Sequence, residues 1–252
     1  MLYKFILPLG PFFHLYAKRP SEKISWCLYY LVPFSSVAFY YGVNFYAILF
    51  AIALVYSSYD VGYIYNNAET IKKERDPTRR YSEMELVFYE SNKFSIYLTK
   101  VFISIACAFS LSFLYHYDAI QWLILSSLII IVFLIYNSIR GVGNFYLQLF
   151  LSTLRYSFPL FLLSGFNYEL LLFSMLIFPI PNFLERTKIK KNNLPFIINN
   201  TERFRVFYYM FLAVLCTYLW CNHWLTNFWP IAAAAYFFLY RSFFYLMNAF
   251  KR

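Results

Sequence analysis

Eight apolar stretches separated by short polar segments dominate this 252-residue chain. Most of them are roughly 17 to 22 residues long, and an α-helix of that length crosses about 30 Å of hydrocarbon. Apolar residues make up 61% of the chain and charged residues only 13%. This is more apolar surface than the core of one soluble domain of this length could bury. We therefore predict an all-α, polytopic transmembrane bundle, formed as one domain by residues 1–252. The eight predicted spans are 24–41, 45–65, 94–115, 119–136, 145–165, 168–180, 206–220 and 228–247.

The distribution of lysine and arginine predicts how the bundle sits in the membrane. Neither residue occurs in the four turns that would face outward: 42–44, 116–118, 166–167 and 221–227. Basic segments occupy the opposite side, so the positive-inside rule places both termini and the long loops, about 66–93 and 181–205, in the cytoplasm. We expect a multi-pass protein of a bacterial inner membrane.

Several other classes of protein do not fit the sequence. The net charge of +10 comes from short clusters between apolar stretches, so no nucleic-acid partner is expected. The four cysteines show no C-x-x-C spacing, which argues against a zinc site or a disulfide framework. No glycine-rich phosphate-binding loop and no histidine deep within a span is present.

Two local patterns predict helices outside the spans. Pro8, Gly10 and Pro11 interrupt the first apolar run, which indicates a broken or interfacial helix rather than a signal peptide. Ser82 and Glu85 have the spacing of a capping box and predict a short surface helix that ends at about Tyr89.

Candidate chemistry concentrates in residues 57–80, where the second span ends in a run of polar and charged groups. On a helix, Asp60, Asn67 and Glu74 recur every seven positions and share one face. An acid such as Asp60 inside an apolar span is a functional candidate, because burying it in lipid is costly. We predict these three as catalytic residues, with Asn67 and Glu74 as ligands of Mg²⁺. The alternative is an ordinary basic, solvated turn at the cytoplasmic end of a helix.

Cations follow this face directly, and their side chains suit phosphate oxygens. The predicted substrate-binding residues of this segment are Asn66, Lys73, Arg79 and Arg80. Amide and carboxylate oxygens beside arginine and lysine fit a diphosphate that carries Mg²⁺, since Mg²⁺ shares its ligands between protein carboxylates and phosphates.

The same residues resemble the first acidic motif of the UbiA-type membrane prenyltransferase superfamily, N-D-x-x-D-x-x-x-D followed by a proline and arginine segment. Asn66 takes the asparagine position, Asn67 and Thr70 stand where the first two aspartates occur, and Glu74 keeps the third acid. The segment 74–80 is most similar to the branch that transfers phosphoribose from phosphoribosyl diphosphate to a polyprenyl phosphate. The resemblance implies an active site at the cytoplasmic ends of the helices, with the following loop as its cap.

The resemblance extends more weakly to two other segments. The family carries a second acidic motif after the sixth span, and here Asn182 and Glu185 lie at comparable places, followed by cations that include Lys188. Tyr136 to Arg140 is similar to a family segment whose basic residue contacts the leaving diphosphate. The resemblance thus implies substrate binding by Tyr136, Arg140, Glu185 and Lys188. A basic retention loop and a helix-end cation are the alternatives.

Three cations lie within the predicted spans. Lys100 and Arg241 are near span ends, where long side chains reach the interface. Arg155 is near the middle of a span, so we predict that it pairs with Asp60 or binds a substrate phosphate.

Together these features predict a membrane-embedded transferase that uses Mg²⁺, a diphosphate-containing co-substrate and an isoprenoid lipid. Prenyl transfer with release of diphosphate at a cytoplasm-facing cavity is the first hypothesis. Phosphoribosyl transfer to polyprenyl phosphate needs the same diphosphate ligands and is the alternative. From other classes, a transporter or an assembly subunit of a membrane complex stays open.

Overall fold

The described residues of the chain fold into α-helices and contain no β-strand. The computed structural model describes residues 2–73, 78–139, 142–186, 198 and 200–250, with the side chains of 248–250 left out. The prediction of an all-helical protein is confirmed for this part of the chain.

Most of the longer helices pack against the helix that follows them in the chain. In chain order they are α1 (Tyr3–Ile6), α2 (Gly10–Leu15), α3 (Pro20–Trp26), a π-helical turn (Cys27–Leu31), α4 (Val32–Tyr40), α5 (Phe45–Ala68), a 3₁₀ turn (Thr70–Lys73), α6 (Glu83–Tyr115), α7 (Ala119–Ser138), α8 (Val142–Leu163), α9 (Tyr168–Ile177), α10 (Pro179–Glu185), α11 (Thr201–Cys221) and α12 (Trp229–Phe250).

Six helical stretches among the described residues are long and apolar enough to cross a membrane. They are Phe45–Lys73, Glu83–Tyr115, Ala119–Ser138, Tyr168–Glu185, Thr201–Cys221 and Trp229–Met247. The prediction of a multi-pass membrane protein agrees with these six. The other two predicted spans correspond to α3 to α4, which the π-helical turn interrupts, and to α8, which contains Arg155 and Pro159. Eight spans therefore stays a prediction.

The predicted short helix after Ser82 is wrong, because it is the first part of the 33-residue helix α6. The capping box itself is confirmed: Ser82 Oγ accepts from the Glu85 amide at 3.3 Å, and Glu85 Oε2 accepts from the Ser82 amide at 2.9 Å. Residues 83–115 contain neither glycine nor proline, so nothing ends the helix between its polar and apolar parts. The predicted loop 66–93 is accordingly shorter, since α5 reaches Ala68 and α6 begins at Glu83.

Helix α5 is the centre of the bundle. In the most apolar 18-residue part of this helix 78% of the residues are buried, compared with 33% in the corresponding parts of α6 and α7. At Gly62 a Cβ atom would lie 2.2 Å from the Phe133 ring of α7, so only glycine allows the two helices this approach. The polar end of α5 is thereby held close to α7.

The N-terminal segment, residues 2–17, confirms the predicted break. Leu9 has a φ of 67° between α1 and α2, and Pro11 opens α2. Phe5 is fully buried and stacks on Tyr81, which precedes α6, at a centroid distance of 5.1 Å. This segment therefore packs into the bundle at the end where α5 stops and α6 starts.

Candidate functional site

A cavity of about 690 Å³ lies among the helix ends and the N-terminal segment. It is bounded by α2, α5, α7, α8, α10 and α11 and by the turn before α6. The lining residues are Phe12, Tyr16, Tyr59, Tyr63, Asn66, Arg80, Phe133, Tyr136, Gln148, Leu151, Ser152, Arg155, Tyr156, Asn182, Glu185, Arg186, Thr201 and Arg205. Four arginines and one glutamate make this lining positively charged, and aromatic rings form much of its wall.

The cavity brings together five of the predicted site residues. Asn66 from α5, Arg80 from the turn, Tyr136 from α7, Arg155 from α8 and Glu185 from α10 all line it. They belong to segments that the sequence keeps far apart. The fold therefore brings Asn66 and Arg80 into one cavity with Glu185 of α10.

Arg155 lies in an aromatic cage on the deep side of this cavity. Its guanidinium donates to the Tyr63 hydroxyl at 3.0 Å and to the Tyr56 hydroxyl, while its Nε is buried without a hydrogen-bond partner. The guanidinium carbon is within 6 Å of the ring centroids of Phe12, Tyr30, Tyr56, Tyr59 and Tyr156. Ring faces and hydroxyl oxygens stabilise the cation without neutralising it. Its charge is thus available to an anionic group in the cavity.

The predicted pairing of Asp60 with Arg155 is wrong, because Asp60 pairs with Lys100. Lys100 Nζ lies 2.7 Å from Asp60 Oδ2, and both side chains are 0% exposed. The same ammonium donates to the Leu7 carbonyl at 2.7 Å. Lys100 does not reach the interface as predicted, since α6 begins at Glu83 and Lys100 lies in the middle of that helix. Asp60 does not line the cavity, and its contacts join α5, α6 and the N-terminal segment.

Asn67 lines a smaller pocket of about 250 Å³ beside the cavity. Its Nδ2 donates to the Tyr63 carbonyl at 2.8 Å and to the Tyr16 hydroxyl at 2.9 Å. The pocket is lined by Asn66, Asn67, Ile71, Thr78, Arg80, Tyr136, Asn137 and Asn144. Asn66, Arg80 and Tyr136 also line the large cavity, so the two spaces adjoin. Within the small pocket, Asn144 Oδ1 is buried without a hydrogen-bond partner.

Glu185 does not offer a free carboxylate to the cavity. Arg205 donates to the Glu185 carboxylate through Nε and Nη2, and Nη2 lies 2.5 Å from Oε2. The same guanidinium donates to Glu202 Oε1 at 2.8 Å. Glu185 is thus paired within the protein, and its predicted binding of substrate stays a prediction. Arg80 lies nearby with its guanidinium 4.3 Å from the centroid of the Tyr16 ring.

The remaining predicted residues lie apart from the cavity or outside the described chain. Lys73 is exposed at the end of the 3₁₀ turn, and Arg79 is exposed with Nη1 at 3.9 Å from Glu83 Oε1. Glu74, Arg140 and Lys188 lie outside the described residues. No group of three His, Cys, Asp or Glu side chains suitable for a metal ion occurs within the described ranges. Glu74 lies outside those ranges, so the predicted Mg²⁺ site stays a prediction.

Sequence reasoning missed Gln148, Ser152 and Tyr59 as lining residues, although each lies at helical spacing from a predicted site residue. Gln148, Ser152 and Arg155 follow one another at intervals of four and three residues on α8, as one polar stripe in an apolar helix. Tyr59, Tyr63 and Asn66 repeat this spacing on α5, where we gave weight to the acids instead. Phe12 and Tyr16 from α2 carry no comparable signal, since the N-terminal segment looks only like a broken apolar helix.

The geometry describes a positively charged, aromatic-walled site at one end of an apolar helical bundle. Such a site can hold an anionic head group on arginine side chains while an attached apolar chain lies against rings or lipid. Comparison of the chain with protein-family models, with curated proteins and with solved structures finds no match.

Proposed function

We propose that this protein is a membrane-embedded transferase that acts on a diphosphate-bearing substrate and an isoprenoid lipid. In the favoured version an isoprenyl group is transferred and diphosphate leaves. The observation that carries the proposal is the 690 Å³ cavity, whose described lining residues include Arg80, Arg155, Arg186 and Arg205 and one carboxylate, Glu185. Soluble anions need no such surroundings of apolar helices, whereas a phosphorylated lipid does.

Each part of the cavity has a role in this reaction. The arginines would hold the diphosphate oxygens and stabilise the charge that develops on them as the carbon–oxygen bond breaks. The bond electrons leave with the diphosphate, and the allylic cation left behind would face the rings of Tyr59, Phe133 and Tyr156 until an acceptor attacks it. Mg²⁺, when bound, would neutralise part of the diphosphate charge. Amide oxygens of the small pocket and Glu74 would hold it.

Phosphoribosyl transfer to a polyprenyl phosphate is the second candidate, and the small pocket favours it. Four asparagines and Thr78 line that 250 Å³ space beside Arg80. Amides both donate and accept hydrogen bonds, which is the pattern that sugar hydroxyls require. In this version the ribose carbon loses diphosphate and the lipid phosphate attacks it, with the same arginines on the leaving group.

The proposal includes the arrangement in the membrane. Segments 20–40 and 142–163 would complete eight spans, with both termini and the candidate site on the cytoplasmic side of a bacterial inner membrane. Single cysteines introduced at Asn44 and Asn167 of a cysteine-free variant should react with an impermeant reagent added outside intact cells. A cysteine at Arg79 should react only after lysis. The reverse result would overturn the sidedness.

The activity test uses purified protein, Mg²⁺, a lipid acceptor and either a radiolabelled isoprenyl diphosphate or labelled phosphoribosyl diphosphate. Arg155→Met should lower the rate about 100-fold or more, because it removes a preorganised charge from the leaving group. Arg155→Lys should recover part of the loss. Arg203→Met removes an exposed arginine that does not line the cavity and should leave the rate unchanged.

The outcomes separate the candidate functions. Labelled lipid formed only from the isoprenyl donor supports prenyl transfer, and labelled lipid formed only from the ribosyl donor supports the second candidate. If neither donor yields a labelled lipid and diphosphate does not bind, the protein is not this enzyme, and transport or assembly becomes the explanation. Equal rates for the Arg155 and Arg203 variants would remove Arg155 from the site.

A further inference from the structure

A second pocket, of about 430 Å³, lies on the N-terminal segment and shares no lining residue with the cavity. We name it the N-terminal basic pocket. It is lined by Tyr3, Lys4, Leu7, Pro8, Gly10, Phe13, His14, Lys18 and Lys23. Three lysines and a histidine surround this space, and none of the described residues that line it is acidic.

Only part of this positive charge is balanced nearby. Glu85 of α6 accepts from Lys4 at 2.6 Å and lies 2.9 Å from His14 Nε2, so one carboxylate opposes these two side chains. Lys18 and Lys23 are exposed, and Lys23 Nζ is 5.8 Å from the Phe13 ring centroid. The pocket therefore keeps an excess of positive charge at Lys18 and Lys23, which suits a phosphate group.

The rim of the pocket is apolar and exposed. Tyr3, Leu7 and the neighbouring Ile24 are 61%, 55% and 60% exposed. In a multi-pass membrane protein, exposed apolar side chains next to lysines mark the boundary between the bilayer and water. An occupant of the pocket would thus meet cations at one end and a lipid-like surface at the other.

The pocket is preformed, because its segment is anchored to the bundle. Phe5 is fully buried, the Leu7 carbonyl accepts from Lys100, and Lys4 is paired with Glu85. At Gly10 a Cβ atom would lie 2.9 Å from the Lys4 carbonyl oxygen, so the two short helices pack closely. Little ordering of the backbone would be needed when a ligand binds.

We propose that the N-terminal basic pocket binds the headgroup of an anionic phospholipid. The phosphate lies between Lys18 and Lys23, with Lys4 beside it, and the acyl chains follow Tyr3 and Leu7 into the bilayer. A free phosphate ion shares the first contacts but gains nothing from the apolar rim. The site is independent of the transferase reaction. Its occupancy stabilises the segment that gives Phe12 and Tyr16 to the cavity wall.

The test measures binding to the full-length protein in a neutral detergent. The probes are dioctanoyl phosphatidylglycerol, dioctanoyl phosphatidylcholine and inorganic phosphate, and native mass spectrometry counts the bound lipids. We expect saturable binding of one phosphatidylglycerol and much weaker binding of the other two probes. The variant Lys18→Gln/Lys23→Gln should bind about 30-fold more weakly, since each lysine near an anionic lipid contributes about a fivefold factor.

A control of equal charge separates a site from general attraction. Arg19→Gln/Arg203→Gln removes two exposed cations that do not line the pocket and should bind phosphatidylglycerol like the original protein. Equal weakening in both double variants would show a diffuse surface effect and overturn the proposal. Inorganic phosphate that binds as tightly as the lipid, in the same Lys18- and Lys23-dependent way, would show a free-anion site and also overturn it. Circular dichroism and gel filtration identify any variant that fails to fold, and Lys18→Gln alone then replaces it.

Discussion

The buried pair between Asp60 and Lys100 makes a strong prediction about stability. The two side chains meet at 2.7 Å with no exposure, and the Leu7 carbonyl is the second acceptor of the ammonium. In Lys100→Met the carboxylate stays buried without its counter-charge, and Leu7 loses its donor. Removing one partner of a buried ion pair costs about 3–5 kcal/mol. At roughly 2–4 °C per kcal/mol, the melting temperature should fall by about 6–20 °C.

The double variant Asp60→Leu/Lys100→Met should be more stable than Lys100→Met alone. It buries no charge, and the loss of the partner of the Leu7 carbonyl costs about 1–3 kcal/mol. The melting temperature of the double variant should thus be several degrees above that of Lys100→Met. Tryptophan fluorescence during heating in detergent measures both variants, and the cycle with Asp60→Leu gives the coupling energy between the two sites.

Lys93→Met is the matched control on the same helix. Lys93 pairs with Glu69, but its side chain is 45% exposed, and such pairs contribute only about 0–1 kcal/mol. The control should melt within a few degrees of the original protein. If Lys100→Met melts like this control, or if the double variant is less stable than Lys100→Met, Asp60 and Lys100 do not form the buried pair described above.

Two further substitutions test the helix contacts that position the site. Gly62→Ala puts a methyl group 2.2 Å from the Phe133 ring, so the free energy of unfolding should fall by about 1–3 kcal/mol. Adding Phe133→Leu should restore part of this stability. An unchanged melting temperature in Gly62→Ala would contradict the close contact of α5 and α7. Ser82→Ala removes the cap of α6 and should cost about 1 kcal/mol, whereas Ser82→Gly should cost only a few tenths. Hydrogen exchange at the Glu85 amide should accelerate in the alanine variant, and an unchanged rate would show that the cap does not hold this end.

Helix starts could be predicted from the sequence where a local signal marks them. Asn44, Asp118 and Asn167 each accept a hydrogen bond from a backbone amide in the first turn of the helix that follows. These short polar residues directly precede α5, α7 and α9, so the predicted starts at 45, 119 and 168 are confirmed. The predicted span start at 94 is not the start of α6, because the backbone stays helical through the polar residues 90–93.

The partners of buried charges could not be predicted in the same way. Arg155 and Asp60 are both obvious as charges within apolar stretches, and pairing them was the simplest assumption. In the structure Asp60 forms an ion pair with Lys100, and hydroxyls and rings from α2, the π-helical turn and α5 surround Arg155. Periodicity shows which face of a helix is polar, but the neighbour of that face depends on helix packing, which leaves no local trace in the sequence. Arg205 was missed as a cavity residue for this reason.

The anchoring of the N-terminal segment has a consequence for biosynthesis. Lys4 pairs with Glu85, the Leu7 carbonyl accepts from Lys100, and Phe12 lies against Arg155, so residues 2–17 have partners that are translated much later. This wall of the cavity is complete only after α6 and α8 have been translated. A ribosome-bound chain that ends before α6 should therefore leave residues 2–17 accessible to protease.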